Sequence, residues 1–199
     1  QYHNIKLDGK VTPNKFEGTL VSDDPNVNLN FDGFVEFNDE NNRYDFTSTI
    51  INIDLNKLNL SKDYSDIKGK FSFIGSGKNL NDLIGKLDAR NIEISRRDTL
   101  FQFDSVKVNS FFTKGNGNKK LEIITEEARV DFEGKYDFGT LVSDLKSMIK
   151  NNFPYHTRNW QVPSNTISVN QDFNYDISIL DGQQIFELFG LKNFELNNF

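Results

Sequence analysis

The sequence contains no cysteine. That excludes a disulfide framework, a thiolate nucleophile and Cys-ligated zinc. Its two histidines, His3 and His156, are too far apart in the chain to form a metal-ligand spacing. No G-x-S-x-G elbow, P-loop or G-x-G-x-x-G fingerprint is found, and Gly75-Ser76-Gly77-Lys78 lacks P-loop spacing. The pairs Asp23-Asp24, Asp39-Glu40 and Glu126-Glu127 fall mostly in turn-like stretches, where carboxylates are ordinarily solvated surface charge. These absences predict a chain without catalysis, cofactor or metal. No apolar run nears the roughly 20 residues that a helix needs to span a bilayer, and no signal peptide is seen. Basic surplus is lacking too: the net charge is −6, which argues against nucleic acid and against direct docking on an anionic membrane.

Apolar content is low, at 36%, yet phenylalanine alone accounts for 19 of the 199 residues. Each large ring can bury about 150–250 Å², so a core remains within reach. The rings recur in a pattern, apolar-x-Gly-x-apolar. It appears at Leu7-Asp8-Gly9-Lys10-Val11, Phe16-Glu17-Gly18-Thr19-Leu20 and Phe31-Asp32-Gly33-Phe34-Val35. It returns at Ile67-Lys68-Gly69-Lys70-Phe71 and Phe132-Glu133-Gly134-Lys135-Tyr136. Alternation with period two marks half-buried strands. A glycine in mid-strand permits a bulge or a sharp bend, and so a curved sheet. The unequal spacings exclude a strict solenoid.

In chain order, residues 1–37 hold three such strands, two of them separated by the turn Asp23-Asp24-Pro25-Asn26. Arg43 to Thr49 alternates with Tyr44 and Phe46 inward. Ile51, Ile53 and Leu55 then run one step out of phase, which predicts a bulge near Thr49. Leu55, Leu58 and Leu60 read as a helical turn or tight loop. After the strand Ile67–Phe73, Asn79 is expected to cap one helical turn carrying Leu80, Leu83 and Ile84. Strand character resumes at Leu87 and Ala89 and again at Ile92 and Ile94. Phe101 and Phe103 fall on one face and Val106 and Val108 on the other, which needs a bulge or a sheet covered on both sides. Leu121–Ile124 and Ala128–Phe138 are expected strands. Residues 139–150 form the clearest helix, with Leu141, Val142, Leu145, Met148 and Ile149 on one stripe. A last strand over Phe173–Ile179 leads to a second short helix capped by Asp181. No linker divides the chain, so one domain over residues 1–199 is expected. Its opening at Gln1 and its close in a strand-like stretch read as a fragment of a longer protein.

Two architectures fit this pattern. One is a closed sandwich, an interaction module for protein or glycan. The other is a single curved antiparallel sheet of degenerate strand repeats with a few short amphipathic helices. Such a sheet would leave its apolar face as an open groove, a larger apolar patch than monomers normally expose. Asp98-Thr99-Leu100 and Asp104-Ser105-Val106 also match a short O-glycosylation sequon, with Thr99 and Ser105 as acceptors.

The segment Gly77-Lys78-Asn79-Leu80-Asn81-Asp82-Leu83-Ile84-Gly85, followed by Leu87-Asp88-Ala89-Arg90-Asn91, resembles a recurrent stretch of TamB and AsmA-like envelope proteins. Ile53 to Leu60, Ala128 to Phe153 and Phe173 to Phe189 resemble them as well. The resemblance implies a β-taco with a hydrophobic interior, in a periplasmic protein anchored in the inner membrane by parts outside this chain. It implies conduction of phospholipid toward the outer membrane, or help in outer-membrane biogenesis with an assembly-type protein there. No catalytic residue or cofactor follows from it. By alternation, the expected groove-lining residues are Phe31, Val35, Phe37, Tyr44, Phe46, Ile67, Phe71, Phe73, Leu87, Ile92, Ile94, Phe101 and Phe103, then Phe132, Tyr136, Phe138, Phe173, Tyr175 and Ile177. The edges of a truncated sheet would be free to pair with another copy.

Overall fold

The computed structural model describes residues 4–96, 99–114, 118–152, 154–155, 158 and 172–180. Ten strands follow one another: β1 (Ile5–Thr12), β2 (Lys15–Asp24), β3 (Val27–Glu36), β4 (Arg43–Asp54) and β5 (Tyr64–Ser76). Then come β6 (Ile84–Arg96), β7 (Thr99–Phe112), β8 (Lys119–Thr125), β9 (Ala128–Lys135) and, after helix α1 (Phe138–Asn152), β10 (Asp172–Ile179). They form one open antiparallel sheet in which spatial order equals chain order. The sheet is not closed, so the sandwich alternative is not what this chain builds.

Period-two alternation sorts the side chains onto two unlike faces. Register carries the apolar face from strand to strand: Leu7 opposite Leu20, Leu20 opposite Phe31, Phe46 opposite Phe73, Phe73 opposite Leu87, Leu87 opposite Val108. It continues through Val108 opposite Ile123, Leu121 opposite Phe132 and Phe132 opposite Tyr175. The other face is charged and laced with pairs, among them Lys15–Glu17 at 2.7 Å, Arg90–Asp88 at 2.8 Å and Arg129–Asp131 at 2.8 Å. These partners hold the carboxyls of Glu17, Asp88 and Asp131 below their ordinary values. Exposed pairs of this kind contribute little stability; they keep that face in water.

Glycines and bulges bend the sheet. Gly9 lies opposite Gly18 and Gly18 opposite Gly33, which makes a transverse row across β1, β2 and β3. Gly33 has φ +143°. A Cβ there would lie 2.5 Å from the Phe46 Cα, so only glycine fits the close approach of the two backbones. A row of kinks with one sense folds a sheet toward one face.

The bulge expected near Thr49 lies slightly later. Register with β5 slips between Ile50 and Ile53, both on the apolar face, while Ile51 turns out to water. Phe103 and Val106 also share the apolar face, packed with Ala89, Ile92 and Phe101. The phase change is absorbed where Asn91, at φ 50°, interrupts β6 between Arg90 and Ile92.

Two further expectations need correction. Residues 79–82 form a turn rather than a helix: the Asn79 side chain accepts from the amides of Asn81 (2.8 Å) and Asp82 (3.1 Å), and Ile84 already opens β6. One hydrogen-bonded turn is too short to propagate as a helix. Strand β9 ends at Lys135, so Phe138 is the first residue of α1 and not a strand residue. The helix expected after Asp181 lies outside the described residues, as do His3, His156 and Trp160.

The apolar face as candidate functional site

Burial across the apolar face is graded. In β6 to β9 it is buried: Ala89, Ile92, Phe101, Leu121 and Phe132 are all 3–4% exposed. Toward β1 it opens: Ile5, Leu7 and Val11 are 48–62% exposed. At the other edge Tyr175 and Ile177 are exposed too.

Between the open edge and the buried centre runs a row of half-buried rings. Phe16, Phe31, Phe46, Phe73 and Tyr44 follow one another at centroid separations of 5.9, 5.1, 5.8 and 5.8 Å. Phe37 stands edge-on to Tyr44 at 6.5 Å. Tilted and edge-on pairs at these distances are mutually attractive. The row crosses the glycine line, where the backbone of Phe46 closes onto Gly33. Polar groups here are spent on the backbone: the Ser22 hydroxyl donates to the Val27 carbonyl (2.5 Å) and Ser48 to Asn30 (3.0 Å). The surface can bury apolar area but carries almost nothing that would fix a ligand's orientation.

One end of the strands differs. Lys119 begins β8 opposite Gly134 and projects from the apolar face, only 5% exposed. Its ammonium donates to the carbonyls of Asn81 (2.7 Å) and Leu80 (3.4 Å). It lies 4.8 Å from the Phe138 ring centroid and 5.8 Å from that of Tyr136. Burial pushes its pKa down, opposed by the charge of Asp82. Asn81 also accepts from the Phe138 amide (2.8 Å), satisfying one of the free N–H groups that open α1. The Tyr136 hydroxyl is buried and has no hydrogen-bond partner among the described residues. Burial pushes its pKa up to about 12.

A raised phenol pKa has a sign. Below pH 10 the phenol is neutral in folded and unfolded chains alike; above it only the unfolded chain ionises, so stability falls as pH rises toward 12. Absorbance titration near 295 nm should resolve a late-ionising tyrosine, and Tyr136→Phe should abolish that component. A tyrosine titration unchanged by Tyr136→Phe would contradict the burial of this hydroxyl.

Of the expected lining residues, those in β3 to β7, β9 and β10 all lie on the one apolar face. Phe37 and Tyr136 sit just past strand ends, and Phe138 joins the Lys119 corner. Alternation of the same kind marks Ile5, Leu7, Val11, Phe16 and Leu20, which belong on the lining as well. No pattern announced Lys119, which sits in a Lys- and Gly-rich stretch that reads as loop. Ser105 donates to Glu126 at 2.5 Å. Among the described residues no group of His, Asp or Glu has the geometry of a metal site. No family model, curated protein or solved structure matches this chain.

Proposed function

We propose that the apolar face binds acyl chains, and that the chain is a segment of a TamB/AsmA-like periplasmic protein carrying phospholipid between inner and outer membranes or assisting outer-membrane biogenesis. The observation that carries this reading is the half-buried ring row of β2 to β5, continued by the exposed apolar residues of β1. A solvated sheet face of this composition is costly unless something apolar lies on it. Each methylene removed from water there contributes about 0.8 kcal/mol. With the Ser22 and Ser48 hydroxyls already bonded to backbone, the ring row holds a chain without locking one pose, which suits sliding transfer. The polar partners such a ligand needs are bulk water and the rim, so head groups point out of the trough.

Phe73→Glu tests this directly. Phe73 touches Tyr44 and Phe46 in the middle of the row. A carboxylate there must stay hydrated, and it interrupts the apolar path. Native mass spectrometry of the purified protein with dioleoyl phospholipid should show at least a tenfold drop in occupancy for the variant, at unchanged circular dichroism. Equal occupancy in a folded Phe73→Glu variant overturns the placement of the ligand on this row. The free edge of β1 favours edge-to-edge pairing with a like strand, whether in another copy or in a neighbouring segment.

A further inference from the structure

Lys119 is a positive charge at an apolar location. On the charged face lysines pair with carboxylates, as Lys68 does with Glu93 (3.3 Å) and Lys120 with Glu122 (2.9 Å). Lys119 donates to carbonyl oxygens and lies over ring faces; the charge of Asp82 reaches it, but no carboxylate lies within ion-pairing distance among the described residues. Dipoles and rings offset part of the desolvation cost of an ammonium; a counter-charge would offset more. The Tyr136 ring lies 5.8 Å away, and its buried hydroxyl has no hydrogen-bond partner among the described residues. A buried hydroxyl without a hydrogen bond is destabilising, and the cost is relieved when an acceptor arrives. Two donors thus share one corner, the ammonium held by neutral carbonyls and the phenol by no group among the described residues, and an anion would accept from both.

What adjoins the corner is apolar. Along β8 the next residue on the same face is Leu121, opposite Phe132, and Tyr136 leans on Phe173 at 6.2 Å. An acceptor with a hydrocarbon tail would find its charge at Lys119 and Tyr136 and its tail on the floor. The two carbonyls now holding Lys119 belong to the Asn79–Asp82 turn, a connection held by side-chain caps and not by a sheet ladder. Exchange of those carbonyls for an anionic oxygen needs movement of that turn, whose Asn81 side chain also accepts from the Phe138 amide.

We propose that Lys119 and Tyr136 form the head-group site for an anionic amphiphile, carboxylate or phosphate in charge and acyl in tail. The ammonium and the phenol donate to the head group, and the tail lies on the apolar face. This rests on the acyl-binding reading above and narrows its ligand class from any acyl chain to negatively charged ones.

Calorimetric titration with dodecanoate, its neutral counterpart dodecanamide, and inorganic phosphate separates the two claims. The intact protein should bind dodecanoate about tenfold more tightly than dodecanamide, the scale of one charge-assisted hydrogen bond, and should not bind phosphate alone. Lys119→Met should erase that preference while leaving dodecanamide affinity unchanged. Should Lys119→Met not fold, Tyr136→Phe keeps the test alive, since it removes only the hydroxyl; a several-fold loss confined to dodecanoate is expected. Equal affinity for the two amphiphiles, unaltered by either variant, overturns the head-group site and makes Lys119 a strut for the Asn79–Asp82 turn, with acyl binding intact. Phosphate bound as tightly as dodecanoate overturns the amphiphile in favour of a plain anion. Failure of both amphiphiles to bind overturns the acyl-binding reading itself.

Discussion

Gly33→Val is expected to cost about 4 kcal/mol of stability, as measured by urea unfolding. Two effects add. The backbone at φ +143° lies where an L side chain is strained, which costs about 1–3 kcal/mol. A Cβ would also meet the Phe46 Cα at 2.5 Å and the Phe46 Cβ at 2.7 Å. Relief requires β3 and β4 to separate, at a further ~1–3 kcal/mol for overpacking. The effect should reach past the substituted strand, because Gly33 stands in line with Gly18 and Gly9. Thr19→Val, on the charged face one residue from Gly18, should stay within about 0.5 kcal/mol. A Gly33→Val protein as stable as its parent would mean that the glycine row does not set the bend.

Phe101→Ala should cost a similar amount, about 3–5 kcal/mol, for a different reason. The Phe101 ring is 3% exposed and packs with Ala89, Ile92 and Phe103, the most densely buried cluster of the sheet. Truncation removes the transfer free energy of the ring and leaves a hole that one bent layer can close only by changing its curvature. Phe111, farther along the same strand but 41% exposed, provides the control: Phe111→Ala should cost less than about 1 kcal/mol. Equal losses at the two positions would show that burial on the apolar face is not where the stability resides.

Most of the architecture was legible because the sheet has one apolar face. With one face apolar, the phase of each strand can be read from Phe, Leu and Ile alone, and the turn at Asp24-Pro25-Asn26 and the polar loop at 38–42 punctuate it. Phase slips were visible without being assignable. Ile50 and Ile51 are the same residue type, so composition cannot decide which of them turns inward; the pairing of β4 with β5 decides it. The odd spacing of Phe103 and Val106 has its explanation on the neighbouring strand, at Asn91, a residue type that tolerates positive φ. Asn79 has the residue type of a helix cap, but it caps a turn and not the expected helix. Its side chain satisfies two amides at once and leaves no helix to propagate.

The candidate site divides the same way. Alternation located the lining residues because lining is a property of a face. Lys119 escaped it because its inward place depends on Gly134 across the strand gap, on a turn nearly forty residues earlier and on the opening residues of α1. No local pattern encodes such a meeting of distant segments.

The sheet's strand order equals its chain order, so every ladder joins immediate neighbours in sequence. Mechanically that is a zipper laid flat. A load applied at the β1 end meets a single pair of strands at a time, and each pair that parts leaves the next one as the new edge. From β1 to β9 the connections between partners are short, so re-pairing after such a release has little chain entropy to overcome; only β10 returns after an intervening helix. The molecule is therefore stiff along its strands and peelable across them, and damage that begins at one edge need not travel to the other.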